Sequence, residues 1–330
     1  MREFEFIKQI KKNIKYENPD IIKGIGDDCA IINFNKSKEK YLIITSDSLF
    51  ENVHFNKDYF KPWEIGARSM AVNVSDICAM GGIPLYALVN IGYPGYIKQS
   101  YIDNMFNGIN DFGGNYGVEI IGGDTISAGK IFLSITLIGE VEKGRILRRD
   151  AACAGDSIFI TGTLGDSYAG FRILANKKNQ RELSDTDYLL IKKHILPTPR
   201  YVEGRLLAES GLLNSCIDVS DGIISDITRI SEESNLGAEI YAQMMPISTS
   251  TYITAKKLKN DPIDYALYGG EDYELLFTVN LKNKNILIKF ADENNIDITE
   301  IGKITARKGI YVVKNGNKKK ENYKKVWKHF

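Results

Sequence analysis

Phe4, Ile7, Ile10 and Ile14 fall at helical spacing, so residues 2–16 read as a short amphipathic helix. Beyond it the pattern changes. Residues 24–33 (GIGDDCAIIN) and 41–50 (YLIITSDSLF) are short, apolar and rich in isoleucine, which predicts two strands. Pro62 opens a longer helical pattern that Gly81 and Gly82 stop. A buried strand is expected over 84–93, then a helix over 97–116 that Gly108, Gly113 and Gly114 weaken. Strands VEIIGGDT (118–125) and IFLSITLIGEV (131–141) follow. The charged, turn-rich connector 140–156 then separates two segments, placing the domains at 1–145 and 146–330. In the second, the pattern predicts helices over 166–176, 185–195 and 199–211. It predicts strands over 238–242, 264–268, 273–279, 297–304 and 310–313. Strands and helices mix without even alternation, which favours two α+β domains over a doubly wound sheet.

Length and composition agree with this division. The 330 residues suffice for two cores, and 43% hydrophobic with 26% charged residues is ordinary globular composition. With 43 basic against 42 acidic residues the net charge is +1, so no overall field recruits nucleic acid. Basic residues gather instead in the tail, KNGNKKKENYKKVWKHF (314–330). Cys29, Cys78, Cys153 and Cys216 form no C-x-x-C pair, which argues against a zinc site and against a disulfide framework. Charges throughout MREFEFIKQIKKNIKY leave no apolar run fit for a signal peptide, and no stretch approaches the ~20 apolar residues of a membrane span. A cytoplasmic protein with reduced cysteines and no membrane partner is expected.

Aspartates break this ordinary picture. Asp27 and Asp28 (GIGDDCA), Asp47 (TSDSLF), Asp76 (NVSDICAMGG), Asp124 (IGGDT), and Asp218 with Asp221 (DVSDG) all end an apolar strand or sit in a short apolar motif or glycine turn. Each alone reads equally well as a cap or turn residue. Seven in one context point to convergence. Two unit charges ~4 Å apart repel by ~4 kcal/mol at an effective dielectric near 20, so such a cluster takes up protons or binds cations. Oxygen ligands without accompanying His or Cys select Mg²⁺ or a similar ion, and several Mg²⁺ ions on carboxylates imply phosphate chemistry. His54, His194 and His329 are too scattered for a zinc centre. No P-loop and no protein-kinase signature is present. GTLGDSYAG (162–170) suits either phosphate binding or tight packing, and GGEDYELLF (269–277) puts Glu271 and Asp272 at a turn where a side chain reaches a ligand.

GIGDDCAII, TSDSLFENVHF, SMAVNVSDICAMGGIP, GGDT, TGTLGDSYAG, DVSDGIISDI and GGEDYELLF occur in an order that resembles the thiamine-monophosphate kinase family, from about residue 24 to the terminal WKHF. The resemblance implies the two-domain α+β fold of the aminoimidazole ribonucleotide synthetase superfamily. It also implies a homodimer whose N-terminal sheets pair into a barrel, with ATP in clefts near that interface. Residues 1–145 would bind ATP and Mg²⁺ and dimerise, and 146–330 would complete the nucleotide and substrate sites. The implied reaction is direct transfer of the γ-phosphate of ATP to thiamine phosphate, with no protein nucleophile. The implied Mg²⁺ ligands are Asp28, Thr45, Ser46, Asp47, Asp76, Asp124, Asp218 and Asp221. ATP contacts fall on Phe106, Gly123, Asp124, Arg149 and Ser220, with Phe106 standing where the family commonly has tyrosine. The thiamine-phosphate site falls on His54, Glu271 and Trp327. Asp226 is not carried over and reads as structural.

Sister enzymes of the superfamily are the nearest alternative. Selenophosphate synthetase uses a reactive Cys or Sec near its N-terminus and the hydrogenase-maturation dehydratase a C-terminal cysteine. Here the first cysteine lies inside GDDCA and the tail has none. Aminoimidazole ribonucleotide synthetase lacks the GGEDYEL signature. A Mg-nucleotide sensor without catalysis and a metal-dependent phosphohydrolase are the readings from other classes.

Overall fold

The computed structural model of the chain describes residues 3–176 and 183–321. After helix α1 (Glu3–Asn13), the first sheet is built from β1 (Ile21–Lys23), β2 (Ala30–Ile32), β3 (Lys40–Phe50), β4 (Ile83–Tyr93), β5 (Glu119–Ser127) and β6 (Phe132–Glu142). Their spatial order is β1-β2-β3-β6-β4-β5. Only β4 and β5 run parallel; the other neighbours are antiparallel. β3 and β6 pair without a slip from Lys40 opposite Glu142 to Phe50 opposite Phe132.

Helices α2 (Pro62–Ala79) and α3 (Gln99–Gly114) pack together beside this sheet. They approach closely because two glycines meet there. A Cβ on Gly66 would lie 1.9 Å from the Met105 carbonyl oxygen, and one on Gly108 2.0 Å from that of Trp63. Gly108, which weakens the helical pattern in the sequence, is therefore a packing requirement. From Ile65 to Ala79 every α2 residue except Asp76 is buried, because α2 also touches β8 (Leu213–Asp218) and α6 (Tyr201–Ser210) of the second half.

The second sheet adds β7 (Ser157–Thr161), β9 (Gly237–Tyr241), β10 (Leu275–Val279), β11 (Ile298–Thr305), β12 (Gly309–Lys314) and β13 (Asn317–Lys320), in the order β13-β12-β9-β11-β7-β10-β8. β9 and β12 are its parallel pair. Every residue of β7 and β10 is buried, and α7 (Ile223–Glu233) lays Ile223, Ile224, Ile227 and Ile230 into the same core. Around them stand α4 (Asp166–Ala175), α5 (Asp185–Ile195), α8 (Thr249–Lys257), α9 (Pro262–Tyr268) and α10 (Lys284–Glu293). Mixed α and β content in two sheet-centred halves agrees with the expected α+β class.

Three local expectations need correction. Of residues 24–33 only Ala30–Ile32 is a strand; residues 24–29 form a loop that Gly26, at φ +126°, lets turn. Residues 264–268 are not a strand but the end of α9, started by Pro262 and by Asp261, whose Oδ1 accepts from the Ile263 N–H at 3.1 Å. β4 is buried on one face only, with Tyr86 and Leu88 exposed on the other. Among the described residues no helix is long and apolar enough to cross a membrane.

Candidate active site

A cavity of about 1110 Å³ opens where the two halves meet. The loop before β2 brings Asp27 and Asp28 to it, β3 brings Thr45, Ser46 and Asp47, α2 brings Asp76, and the turn from β8 into α7 brings Asp218, Ser220 and Asp221. Single carboxylate oxygens of Asp28, Asp76 and Asp218 lie within 4.8 Å of one another, with Asp28 and Asp218 buried. Hydroxyls hold two of them in place. Thr45 Oγ1 donates to Asp76 Oδ2, and Ser75 Oγ donates to Asp218 Oδ2 at 2.6 Å.

Crowding like charges away from water raises the pKa of Asp27, Asp47, Asp76 and Asp218. Burial, then the charge of Asp28, raises Asp218 to about 7 and Asp27 likewise to about 7. Asp47 reaches solvent through the cavity mouth, yet loss of surrounding water and then the charge of Asp221 raise its pKa to about 6. Asp76 is pushed well above the usual range by burial and then by Asp47, Asp218 and Asp28. Two guanidinium groups offset part of this charge. Arg149 donates from Nη2 to Asp28 Oδ1 and from Nε to Asp28 Oδ2 at 3.2 Å. Arg229 pairs with Asp221, and its Nη1 lies 3.3 Å from Asp226 Oδ1. Asp226 is fully buried, its Oδ2 accepting from the Asp221 N–H at 3.2 Å, as expected of a structural residue.

The donor set is carboxylates and hydroxyls with no sulfur or imidazole ligand among them, which fits Mg²⁺. Elsewhere the lining is aromatic: Phe55, Tyr59, Tyr168, Phe171 and Tyr273, together with His54, His194 and Glu271. His54 Nδ1 accepts from the Phe50 N–H at 3.0 Å. Glu271 and Tyr273 have φ of +57° and +52°, an uncommon conformation for non-glycine residues. Hydrogen bonds from Glu271 N to Ser220 O (2.7 Å) and from Tyr273 N to Val219 O (2.9 Å) lock the GGEDY turn onto the DVSDG turn. Asp272 points elsewhere. It accepts from Gly165 N at 2.8 Å and Ser167 N at 3.2 Å, so the N-terminus of α4 is already capped from within the chain.

Of the expected site residues, Asp28, Thr45, Ser46, Asp47, His54, Asp76, Arg149, Asp218, Ser220, Asp221 and Glu271 line this one cavity. Phe106, Gly123 and Asp124 do not. Phe106 is half-buried against the first core, and Gly123 and Asp124 are exposed on edge strand β5. Trp327 lies outside the described residues. The sequence pattern did not single out Arg68, His194 or Arg229; their only signal is a cation or imidazole within an apolar helix.

Comparison with known proteins matches residues 26–141 to the family "AIR synthase related protein, N-terminal domain" and 154–315 to its C-terminal domain. The chain is 36% identical to a thiamine-monophosphate kinase from Aquifex aeolicus, covering 99% of this chain and 98% of that one. It is also 36% identical to one from Bacillus subtilis, covering 100% of both. The solved structure of AaThiL complexed with AMPPCP and TMP superposes with a TM-score of 0.86 at 34% identity, covering 100% of this chain and 97% of that one.

Proposed function

The chain belongs to the thiamine-monophosphate kinase family, on an AIR synthase-like fold, and from that premise we propose that it transfers the γ-phosphate of ATP to thiamine phosphate. The products are thiamine diphosphate and ADP. The observation that carries this reading is one cavity with a carboxylate cluster on one part of its wall and an aromatic lining on another. Asp28, Thr45, Ser46, Asp47, Asp76, Asp124, Asp218 and Asp221 are the proposed Mg²⁺ ligands. When bound, the ions neutralise phosphate charge that an acidic wall alone would repel. Arg149 adds a permanent charge with a planar fork suited to phosphate oxygens, and Ser220 reaches the same region. His54, Glu271 and Trp327 are assigned to thiamine phosphate, and Phe106, Gly123 and Asp124 to the nucleotide.

Transfer is direct and in line. Cys29, Cys78 and Cys216 are buried, and burial pushes each thiol well above its usual pKa, so none offers a thiolate. The reading extends to a homodimer formed through residues 1–145, in which the N-terminal sheets pair into a barrel and 146–330 complete each site. Phe50, Tyr86, Leu88, Ile121 and Ile126 on β3, β4 and β5 support it, being large apolar side chains left exposed in a single chain. Asp124 and Gly123 on β5 would then stand at that interface. With γ-labelled ATP, label should appear in thiamine diphosphate. Label appearing only in inorganic phosphate sinks the proposal.

A further inference from the structure

Arg68 on α2 is fully buried, behind the Glu271 and His194 that line the cavity. Its Nη1 donates to the His194 carbonyl oxygen and its Nη2 to Glu271 Oε1, while Nε has no partner. The guanidinium carbon lies 5.8 Å from the centre of the Phe60 ring. Burying a guanidinium is costly unless a well-placed anion compensates, and Glu271 is the carboxylate paired with it here. His194, also buried, sets the second oxygen: its Nδ1 lies 3.3 Å from Glu271 Oε2 and 3.3 Å from Ser167 Oγ. Burial lowers the His194 pKa despite the neighbouring Glu271, which favours the neutral ring. Burial acts to raise the Glu271 pKa, but Arg68 and then His194 outweigh it and hold the carboxyl at about 2.

Glu271 is thus an ionised carboxylate fixed from behind, on a backbone turn locked to the DVSDG turn, with its side chain about one-third exposed toward the cavity. Oε1 has accepted a bond from Arg68 and keeps a second lone pair, and Oε2 faces His194 Nδ1 at 3.3 Å. Because Arg68 neutralises its charge, it offers a neighbouring ligand an oriented acceptor more than a net negative field. Tyr59, Tyr168 and Phe171 line the same cavity as flat apolar surfaces. We propose that Glu271, aimed by Arg68 and His194, accepts a hydrogen bond from the amino group on the pyrimidine ring of the substrate. Tyr59 and Phe171 flank that ring. Arg68 and His194 are positioning residues, and the trio determines specificity. This rests on thiamine phosphate being the acceptor substrate.

An analogue with an oxo group in place of that amine, oxythiamine phosphate, sets acceptor against acceptor, and a site built to pair with a donor rejects such a group strongly. The full-length protein with ATP and Mg²⁺ should prefer thiamine phosphate over oxythiamine phosphate at least a hundredfold in kcat/KM. Arg68→Met and His194→Asn should each lower that preference at least tenfold. Each should also raise KM for thiamine phosphate about tenfold while KM for ATP stays within about twofold. Arg68→Lys, which keeps the charge but not the fork, should lie between Arg68→Met and wild type, and it decides the matter should Arg68→Met not fold. Glu271→Gln, whose amide also donates, should narrow the preference to within about tenfold, and adding Arg68→Met to it should cause no further loss. Equal use of both compounds by the wild type overturns the inference. So does a lower melting temperature with the preference intact in the Arg68 and His194 variants. A wild type that makes no thiamine diphosphate at all contradicts instead the reaction on which the inference rests.

Discussion

Asp218→Asn should leave the metal-free protein more stable and nearly inactive. Asn keeps an oxygen to accept the 2.6 Å hydrogen bond from Ser75 Oγ, so the buried hydroxyl stays satisfied. What disappears is a carboxyl raised to about 7 by burial and by Asp28. An unfolded aspartate titrates near 4, and each pH unit between the two values is worth ~1.4 kcal/mol, so ionising Asp218 in the fold costs up to ~4 kcal/mol. The folded pKa being the higher, this cost is absent below pH ~4, grows as the pH rises toward 7, and is complete above it. The attraction between ionised Asp218 and Arg149, lost in the variant, offsets part of this and leaves a net gain of ~1–2 kcal/mol. That is a few degrees in melting temperature for a chain of this size. Differential scanning calorimetry in EDTA should therefore find the variant melting higher than wild type at pH 8 and level with it at pH 4. Added Mg²⁺ should raise the wild-type melting temperature more than that of the variant. Loss of a metal-holding carboxylate should lower turnover a hundredfold or more. A variant that melts below wild type at pH 8 in EDTA, or that keeps wild-type turnover, refutes the reasoning.

Asp47→Asn and Asp124→Asn should each lower turnover a hundredfold or more with the circular dichroism spectrum unchanged; near wild-type turnover at saturating Mg²⁺ removes that residue from the ligand set. Apparent Mg²⁺ affinity, read by calorimetry, should weaken as the pH falls through 7 and then 6, because Asp27, Asp218 and Asp47 then take up protons; an affinity flat from pH 8 to 5 contradicts the cluster as the binding site. No phospho-enzyme should form, and hydroxylamine-labile label on the protein from γ-labelled ATP would argue for a covalent route. Trp327→Ala should raise KM for thiamine phosphate about tenfold with KM for ATP little changed, since an indole face attracts a thiazolium cation; a drop in melting temperature with both KM values unchanged makes it a packing residue.

The carboxylate wall was legible because each aspartate interrupts an apolar run, and burial next to like charge is a local anomaly that a linear reading detects. The helices whose apolar faces meet a core, such as α2, α5 and α6, were legible for the same reason. What escaped depends on contacts between distant segments. Arg68 looks like one charged residue in a helix until α5 and the GGEDY turn close over it. Arg229 sits eight residues beyond Asp221, and only the fold of the turn shows that it returns to pair with it. Asp272 beside Glu271 shows the limit of a motif: adjacent carboxylates in one turn face a helix N-terminus and a cavity respectively. Residues 264–268 were misread because apolar content outweighed the Asp261–Pro262 start signal, and 24–33 because isoleucine content outweighed its two glycines.

The central claim is most directly tested by incubating the purified protein with ATP, Mg²⁺ and, in parallel, thiamine phosphate, free thiamine or a purine-pathway intermediate, and quantifying each phosphorylated product by chromatography. The account predicts thiamine diphosphate and ADP in equal amounts from thiamine phosphate alone, and none in EDTA. Phosphorylation of another acceptor in its place, or phosphate released from thiamine phosphate without ATP, would contradict it.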